Sequence, residues 1–234
     1  MSVLVYENSA RREPGDRWSD AHGIAMLLAT VLTVVTRLPF LATTVGFVSL
    51  MALVTWSRGA WTPSGRFGLA NTVTSGRLLL SFVLVLRPEA WTGQFLALTA
   101  LAILTLDLVD GTLARRFDGE SRFGARYDME VDAVFVLSLS CALWSRGVAG
   151  PWVLLAGLWR YLFVVVPLIV ASRGGEAPRS LLYRSAYSVM VGCFLVALIA
   201  PISFARPLAL LGTVLLSASF LRSFWYRYRP PVDA

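Results

Sequence analysis

Residues Asp107 to Asp132 read DLVDGTLARRFDGESRFGARYDMEVD, and four aspartates in this stretch decide how the chain is read. Asp107 and Asp110 are three residues apart, and Asp128 and Asp132 are four apart. Either spacing puts both side chains on one face of a helix. Apolar runs flank the stretch, LALTALAIL before it and AVFVLSL after it. Two helices joined by a short loop would therefore gather four carboxylates at one end of an apolar pair. Uncompensated carboxylates repel one another strongly in a low-dielectric setting. One or two divalent cations relieve that repulsion, and all-oxygen ligation favours a hard ion such as Mg²⁺ or Mn²⁺. Asp118 and Glu120 belong to the connecting loop, and Glu130 should point to another side of its helix.

The composition places these helices in a membrane. The chain is 56% hydrophobic and 15% charged, with a mean hydropathy of +0.66. A soluble domain carries roughly 25% charged residues to cover its surface. The expected fold class is an all-α integral membrane protein. A spanning helix takes ~20 mostly apolar residues. Six candidates follow position 70, at 72–86, 93–113, 125–144, 151–171, 182–200 and 204–224, the first beginning about a turn before its apolar run. The breaks between them carry turn chemistry: Arg87-Pro88-Glu89, Arg146 to Pro151, Ser172 to Pro178 and Pro201 to Pro207.

An earlier apolar stretch, 23–56, is interrupted by Arg37 and Pro39. A hairpin of two spans with Arg37 near its turn is expected; a single tilted or kinked span is the alternative. The expected organisation is a polar tail over 1–21, a transmembrane hairpin over 22–57 and a membrane domain over 70–226, about eight spans in all. The tail shows no short apolar core followed by a small-residue cleavage site, so no signal peptide is expected.

All 21 basic residues are arginines, and the formal charge is +7. The arginines are scattered between apolar segments rather than gathered, so anionic lipid headgroups, not nucleic acid, are the expected partners. Their placement also orients the chain. Suppose the loop after Asp107 is cytoplasmic. That side then carries the arginines within 58–77, 115–126, 173–184 and 222–229, against Arg87, Arg146 and Arg206 on the other. The bias obeys the positive-inside rule, so the expectation is a cell inner (plasma) membrane protein with the aspartates and the N-terminal tail at the cytoplasmic face. The segment RSFWYRYRPP, Arg222 to Pro231, suits a headgroup-level anchor.

Other chemistries have little to work with. Cys141 and Cys193 sit in apolar runs and read as small buried hydrophobes. His22 is the single histidine, and no cysteine–histidine metal spacing exists. Ionisable residues at membrane depth are costly and mark function. A transporter of protons or metal ions is the competing class for such carboxylates. It would not require Gly-x2-Ala-Arg between the aspartate pairs, and no inverted repeat is visible. Gly111, Ala114 and Gly124 open room for a ligand between helices, or else serve close helix packing. Arg115 can meet phosphate charge.

The stretch from Asp107 to Asp132 resembles the signature of the CDP-alcohol phosphatidyltransferase family, D-x2-D-G-x2-A-R-x8-G-x3-D-x3-D. All eight fixed positions are met, by Asp107, Asp110, Gly111, Ala114, Arg115, Gly124, Asp128 and Asp132. NTVTSGR, Asn71 to Arg77, resembles the N-x-x-T-x-x-R that opens the first core helix of many members. The resemblance runs from about position 70 to the C-terminus and leaves the front hairpin outside the six-helix core.

It implies that Asp107, Asp110 and Asp128 ligate two Mg²⁺ or Mn²⁺ ions, and that Asp132 touches the metal site and acts as catalytic base. Gly111, Ala114, Arg115 and Gly124 would line the cytidine diphosphate pocket, with Asn71, Thr74 and Arg77 beside it. An acceptor hydroxyl would attack the β-phosphorus and CMP would leave. Because an aspartate has a pKa of about 3.9, Asp132 serves as base only if the acceptor is acidified or if proton transfer accompanies bond formation.

The donor is expected to enter from the membrane, which favours CDP-diacylglycerol over a soluble CDP-polyol. The acceptor, a small hydroxyl compound, is less determined. Arg160 in GLWRYLF and Arg184 in LLYRSAY could hold an acceptor phosphate; alternatively Arg160 pairs with the aspartate cluster. A homodimer stays open.

Overall fold

Arg37 breaks the first apolar stretch. Its backbone is left-handed, with φ 57°, and Pro39 follows, so the helical hydrogen-bond ladder cannot run on. Two helices result, α1 (Pro14–Thr36) and α2 (Leu41–Trp56). The computed structural model describes residues 14–113, 121–170 and 181–229, and the side chains of 14–16, 110, 112, 113 and 181–184 also lie outside the described set. After α2 come α3 (Leu69–Leu86), α4 (Gly93–Leu113), α5 (Arg122–Ser145), α6 (Leu155–Ile169), α7 (Leu181–Ile199) and α8 (Ile202–Tyr228). There is no strand among the described residues. The chain is all-helical.

Among the described residues, helix ends follow the expected punctuation with two shifts; the break expected at Ser172 to Pro178 lies outside them. The segment expected as one span over 151–171 opens with a 3-10 turn, Pro151–Leu154, before α6 begins. The last break is narrower than expected. Pro201, with ψ 148°, caps α8 directly, and Pro207 lies inside the helix. Near a helix start a proline forgoes a single backbone hydrogen bond, which α8 tolerates.

Four segments are long and apolar enough to cross a membrane: Arg17–Thr36, Leu69–Leu86, Pro151–Ile169 and Ile202–Tyr228. Leu41–Trp56, Gly93–Val109 and Ser185–Ile199 are shorter apolar helices. Outward-facing apolar side chains such as Phe204, Leu210, Val214, Leu221 and Trp225 on α8 are exposed, as lipid contact requires. Apolar helices with such outer faces belong to a membrane protein.

Helix α5 is the axis of the bundle. From Glu130 to Leu143 every residue except Asp132 is buried. Helices α2, α3, α6 and α7 pack around it. The packing is close where glycine permits it: a Cβ on Gly157 of α6 would lie 2.5 Å from Leu137 Cα. The front hairpin docks on the same axis. Thr43 and Ser138 share a buried hydrogen bond of 2.8 Å between α2 and α5, and a Cβ on Gly46 would meet Val134 Cγ2 at 2.9 Å.

The two ends of the bundle differ. At one, Arg146 Nη1 donates to the carbonyls of Pro88 at 2.8 Å and Trp91 at 2.5 Å, tying together the turns after α3 and α5. At the other lie the start of α3, the end of α4, the start of α5 and the 57–68 loop. The aspartates are at this second end.

Candidate active site

Asp107 stands near the end of α4, and Asp128 and Asp132 stand one turn apart near the start of α5. One oxygen of each carboxylate lies within 4.8 Å of the others. Three of the four expected aspartates are thus together among the described residues. Asp110 also lies on α4, and its side chain is outside the described residues, as are Ala114, Arg115 and the side chain of Arg184.

The charge is opposed from α3. Arg77 Nη1 donates to Asp128 Oδ1 at 2.6 Å, and Nη2 lies 2.8 Å from Asp107 Oδ1 and bonds Asp132 Oδ1. Arg77, expected beside the nucleotide pocket, is thus a counter-ion of the aspartate cluster. Among the described contacts, three carboxylates face one guanidinium. The residues fit a divalent cation. The donors are all oxygen, which suits a hard ion, and the side chains of Asp107, Asp128 and Asp132 are 36%, 43% and 32% exposed.

The start of α5 is built by Ser121. Its hydroxyl accepts from Gly124 N at 2.9 Å, capping the helix. The same hydroxyl donates to Trp61 O at 2.7 Å, fastening the 57–68 loop against the site. Asn71 Nδ2 donates to Phe67 O at 2.5 Å on that loop. Gly124 faces this junction: a Cβ there would lie 3.1 Å from Ser121 Oγ and 3.4 Å from Asn71 Oδ1. Thr74 is buried on the face of α3 that carries Arg77, its hydroxyl bonded to Ala70 O at 3.0 Å. Tyr127 and Ser75 share a 3.0 Å hydrogen bond that joins α5 to α3.

Arg160 lies elsewhere. Its Nη2 donates to Glu130 Oε1 at 2.6 Å, on the side of α5 away from the aspartates. The alternative that paired Arg160 with the aspartate cluster is therefore corrected. Glu130 is the anion nearest in space because α6 packs behind α5.

Sequence reasoning missed one contributor. The 57–68 loop carries no acidic residue and no histidine, yet it supports Asn71 and Ser121. Only the serine three residues before Gly124 was a readable signal, as a helix cap.

The family model of CDP-alcohol phosphatidyltransferase matches residues 67–225. The chain belongs to that family. The match covers α3 to α8 apart from the last few residues and leaves α1 and α2 outside. No curated protein and no solved structure matches the chain. Membership makes this CDP-alcohol phosphatidyltransferase an enzyme that moves a substituted phosphate group from a CDP-alcohol to a hydroxyl acceptor, and it decides against the transporter reading. Three of the four signature aspartates, Asp107, Asp128 and Asp132, are the ones seen gathered among the described residues.

Proposed function

We propose that the chain transfers the phosphatidyl group of CDP-diacylglycerol to a small hydroxyl acceptor and releases CMP, in phospholipid synthesis. The observation that carries this reading is the gathering of Asp107, Asp128 and Asp132 oxygens within 4.8 Å, open to solute and at the end of an apolar bundle.

Asp107, Asp110, Asp128 and Asp132 would hold two Mg²⁺ or Mn²⁺ ions. When bound, these supply charge that stabilises the diphosphate and the developing phosphoryl oxyanions. The remaining work falls to the protein. Gly111, Ala114, Arg115 and Gly124 bind the cytidine diphosphate. The site presents the donor and orients the acceptor hydroxyl in line with the β-phosphorus. Asp132 takes the hydroxyl proton as the new oxygen–phosphorus bond forms. The bond from the β-phosphorus to the bridging oxygen breaks, and CMP leaves with that electron pair. Such transfers depend mainly on positioning and charge stabilisation.

All eight helices are proposed to cross the plasma membrane, with the aspartate end cytoplasmic as the arginine distribution favours. The acceptor is proposed to be phosphorylated, as a glycerol phosphate or inositol phosphate would be. Arg184 is the cation kept for its phosphate, since Arg160 is committed to Glu130.

Purified protein, Mg²⁺ and CDP-diacylglycerol with a panel of polyols and polyol phosphates test the reading by CMP release. Release that requires one acceptor supports it. A donor left intact with every acceptor, and with CDP-alcohols of other lipids turned over instead, overturns the choice of donor.

A further inference from the structure

Glu130 has no part in the chemistry proposed for the aspartates, yet it lies between two of them. Two residues correspond to ~200° around a helix, so its carboxylate leaves α5 on the opposite side. It is 1% exposed. A carboxylate at membrane depth is costly unless paired. Arg160 supplies the opposite charge at Oε1. Oε2 has no hydrogen-bond partner among the described residues. It faces His22 Nε2 on α1, 3.8 Å away, and that nitrogen is equally without a partner.

His22 is held firmly. It is 2% exposed. Nδ1 bonds Ser49 Oγ of α2 at 2.8 Å. The ring stacks on Trp18 at 4.6 Å and meets Tyr161 of α6 edge-on at 5.7 Å. The buried Tyr161 hydroxyl also has no partner among the described residues. In the tautomer in which Ser49 donates to Nδ1, the imidazole carries its hydrogen on Nε2, the nitrogen 3.8 Å from Glu130 Oε2. Polar groups from α1, α2, α5 and α6 thus converge behind the aspartates.

We propose that His22 is a positioning residue for the transfer reaction: from the N-terminal hairpin it closes a buried lock with Glu130 and Arg160 that holds the rotation of α5, and with it the placement of Asp128 and Asp132. This rests on the role proposed above for those two aspartates. A 10° rotation of α5 would move a carboxylate ~6 Å from its axis by about 1 Å. A misplacement of that size costs about 100-fold in rate. His22 lies outside the residues matched by the family model, so the lock is an addition to the family's core.

The test uses full-length protein in detergent with His22→Ala and His22→Gln, the second keeping an amide N–H toward Glu130. Mn²⁺ affinity is read by electron paramagnetic resonance, CMP release by steady-state kinetics and stability by melting. For His22→Ala, kcat and Mn²⁺ affinity should each fall ~10–100-fold, as when residues that orient metal ligands are removed. At saturating Mn²⁺ the donor KM should change little, and His22→Gln should recover much of both losses. A His22→Ala protein that melts lower but keeps wild-type kcat and Mn²⁺ affinity overturns the proposal, because the lock is then a packing contact alone. If His22→Ala does not fold, Ser49→Ala takes its place, with a smaller loss in the same direction expected and no loss overturning the lock.

Should the wild type neither bind Mn²⁺ nor release CMP, the proposed function fails and the lock is tested separately. Spin labels at Leu101 and Met129, both exposed, in a background without Cys141 and Cys193, report the α4–α5 distance. His22→Ala should shift or broaden it, and an unchanged distance overturns the lock.

Discussion

Arg77 Nη1 lies 2.6 Å from Asp128 Oδ1, and through this contact α3 holds the start of α5. The same guanidinium reaches Asp107 on α4 and Asp132. The arginine is 1% exposed, whereas the three carboxylate side chains are each about a third or more exposed. The cation therefore backs the cluster from inside the bundle, and the anions are approached from the open side.

Arg77→Ala should leave mutually repelling carboxylates. We expect kcat/KM to fall by ~10²–10³, the scale found when one charge-stabilising donor is removed from an active site. Arg77→Lys should recover only a fraction, because a single ammonium cannot span three carboxylates on two helices. Melting should separate charge relief from packing. Mg²⁺ should raise the melting temperature more in Arg77→Ala than in the wild type, and an equal rise in both would remove Arg77 as a counter-ion.

Chelation tests the donor set. EDTA should abolish CMP release, and Mg²⁺ or Mn²⁺ should restore it, since hard ions suit an all-carboxylate site. Ca²⁺, which prefers longer and looser coordination, should restore less. Full activity in metal-free buffer would end the two-metal proposal.

Asp132 and Asp107 are expected to differ in what they do. Asp132→Asn should abolish turnover and retain much of the affinity for the CDP-alcohol, because the nucleotide pocket and the other carboxylates remain. Asp107→Asn should weaken metal-dependent donor binding as well. The measurements are donor binding and single-turnover rates; indistinguishable affinities and rates would mean that the division into ligand and base is wrong.

Orientation is testable at two exposed positions at opposite ends of the bundle. Ala60 lies on the loop beside the aspartates and Ala90 on the turn after α3. In a background without Cys141 and Cys193, a cysteine at position 90 should react with impermeant reagents on intact cells, and one at position 60 should react only after lysis. The reverse pattern would place the aspartates outside.

The sequence by itself determined the spacing of the aspartates, the family and the helical class. Those depend on local rules. Spacings of three and four place Asp107 with Asp110, and Asp128 with Asp132, on shared faces whatever the rest of the chain does. The break at Arg37 and Pro39 is equally local. What only the tertiary structure decided is which charges meet. Arg77 and Asp128 are 51 residues apart, and Arg160 and Glu130 are 30 apart. Either arginine could have been paired with the aspartates from sequence, because helical periodicity gives the face of each residue relative to its own helix and not which helix lies opposite. That is settled by packing around α5. Its buried surface admits α3 on the aspartate side, and α6 and the hairpin on the Glu130 side. His22 shows the same limit. A lone histidine near the front of the chain carried no signal until α1 was laid against α6 and brought its ring to Glu130.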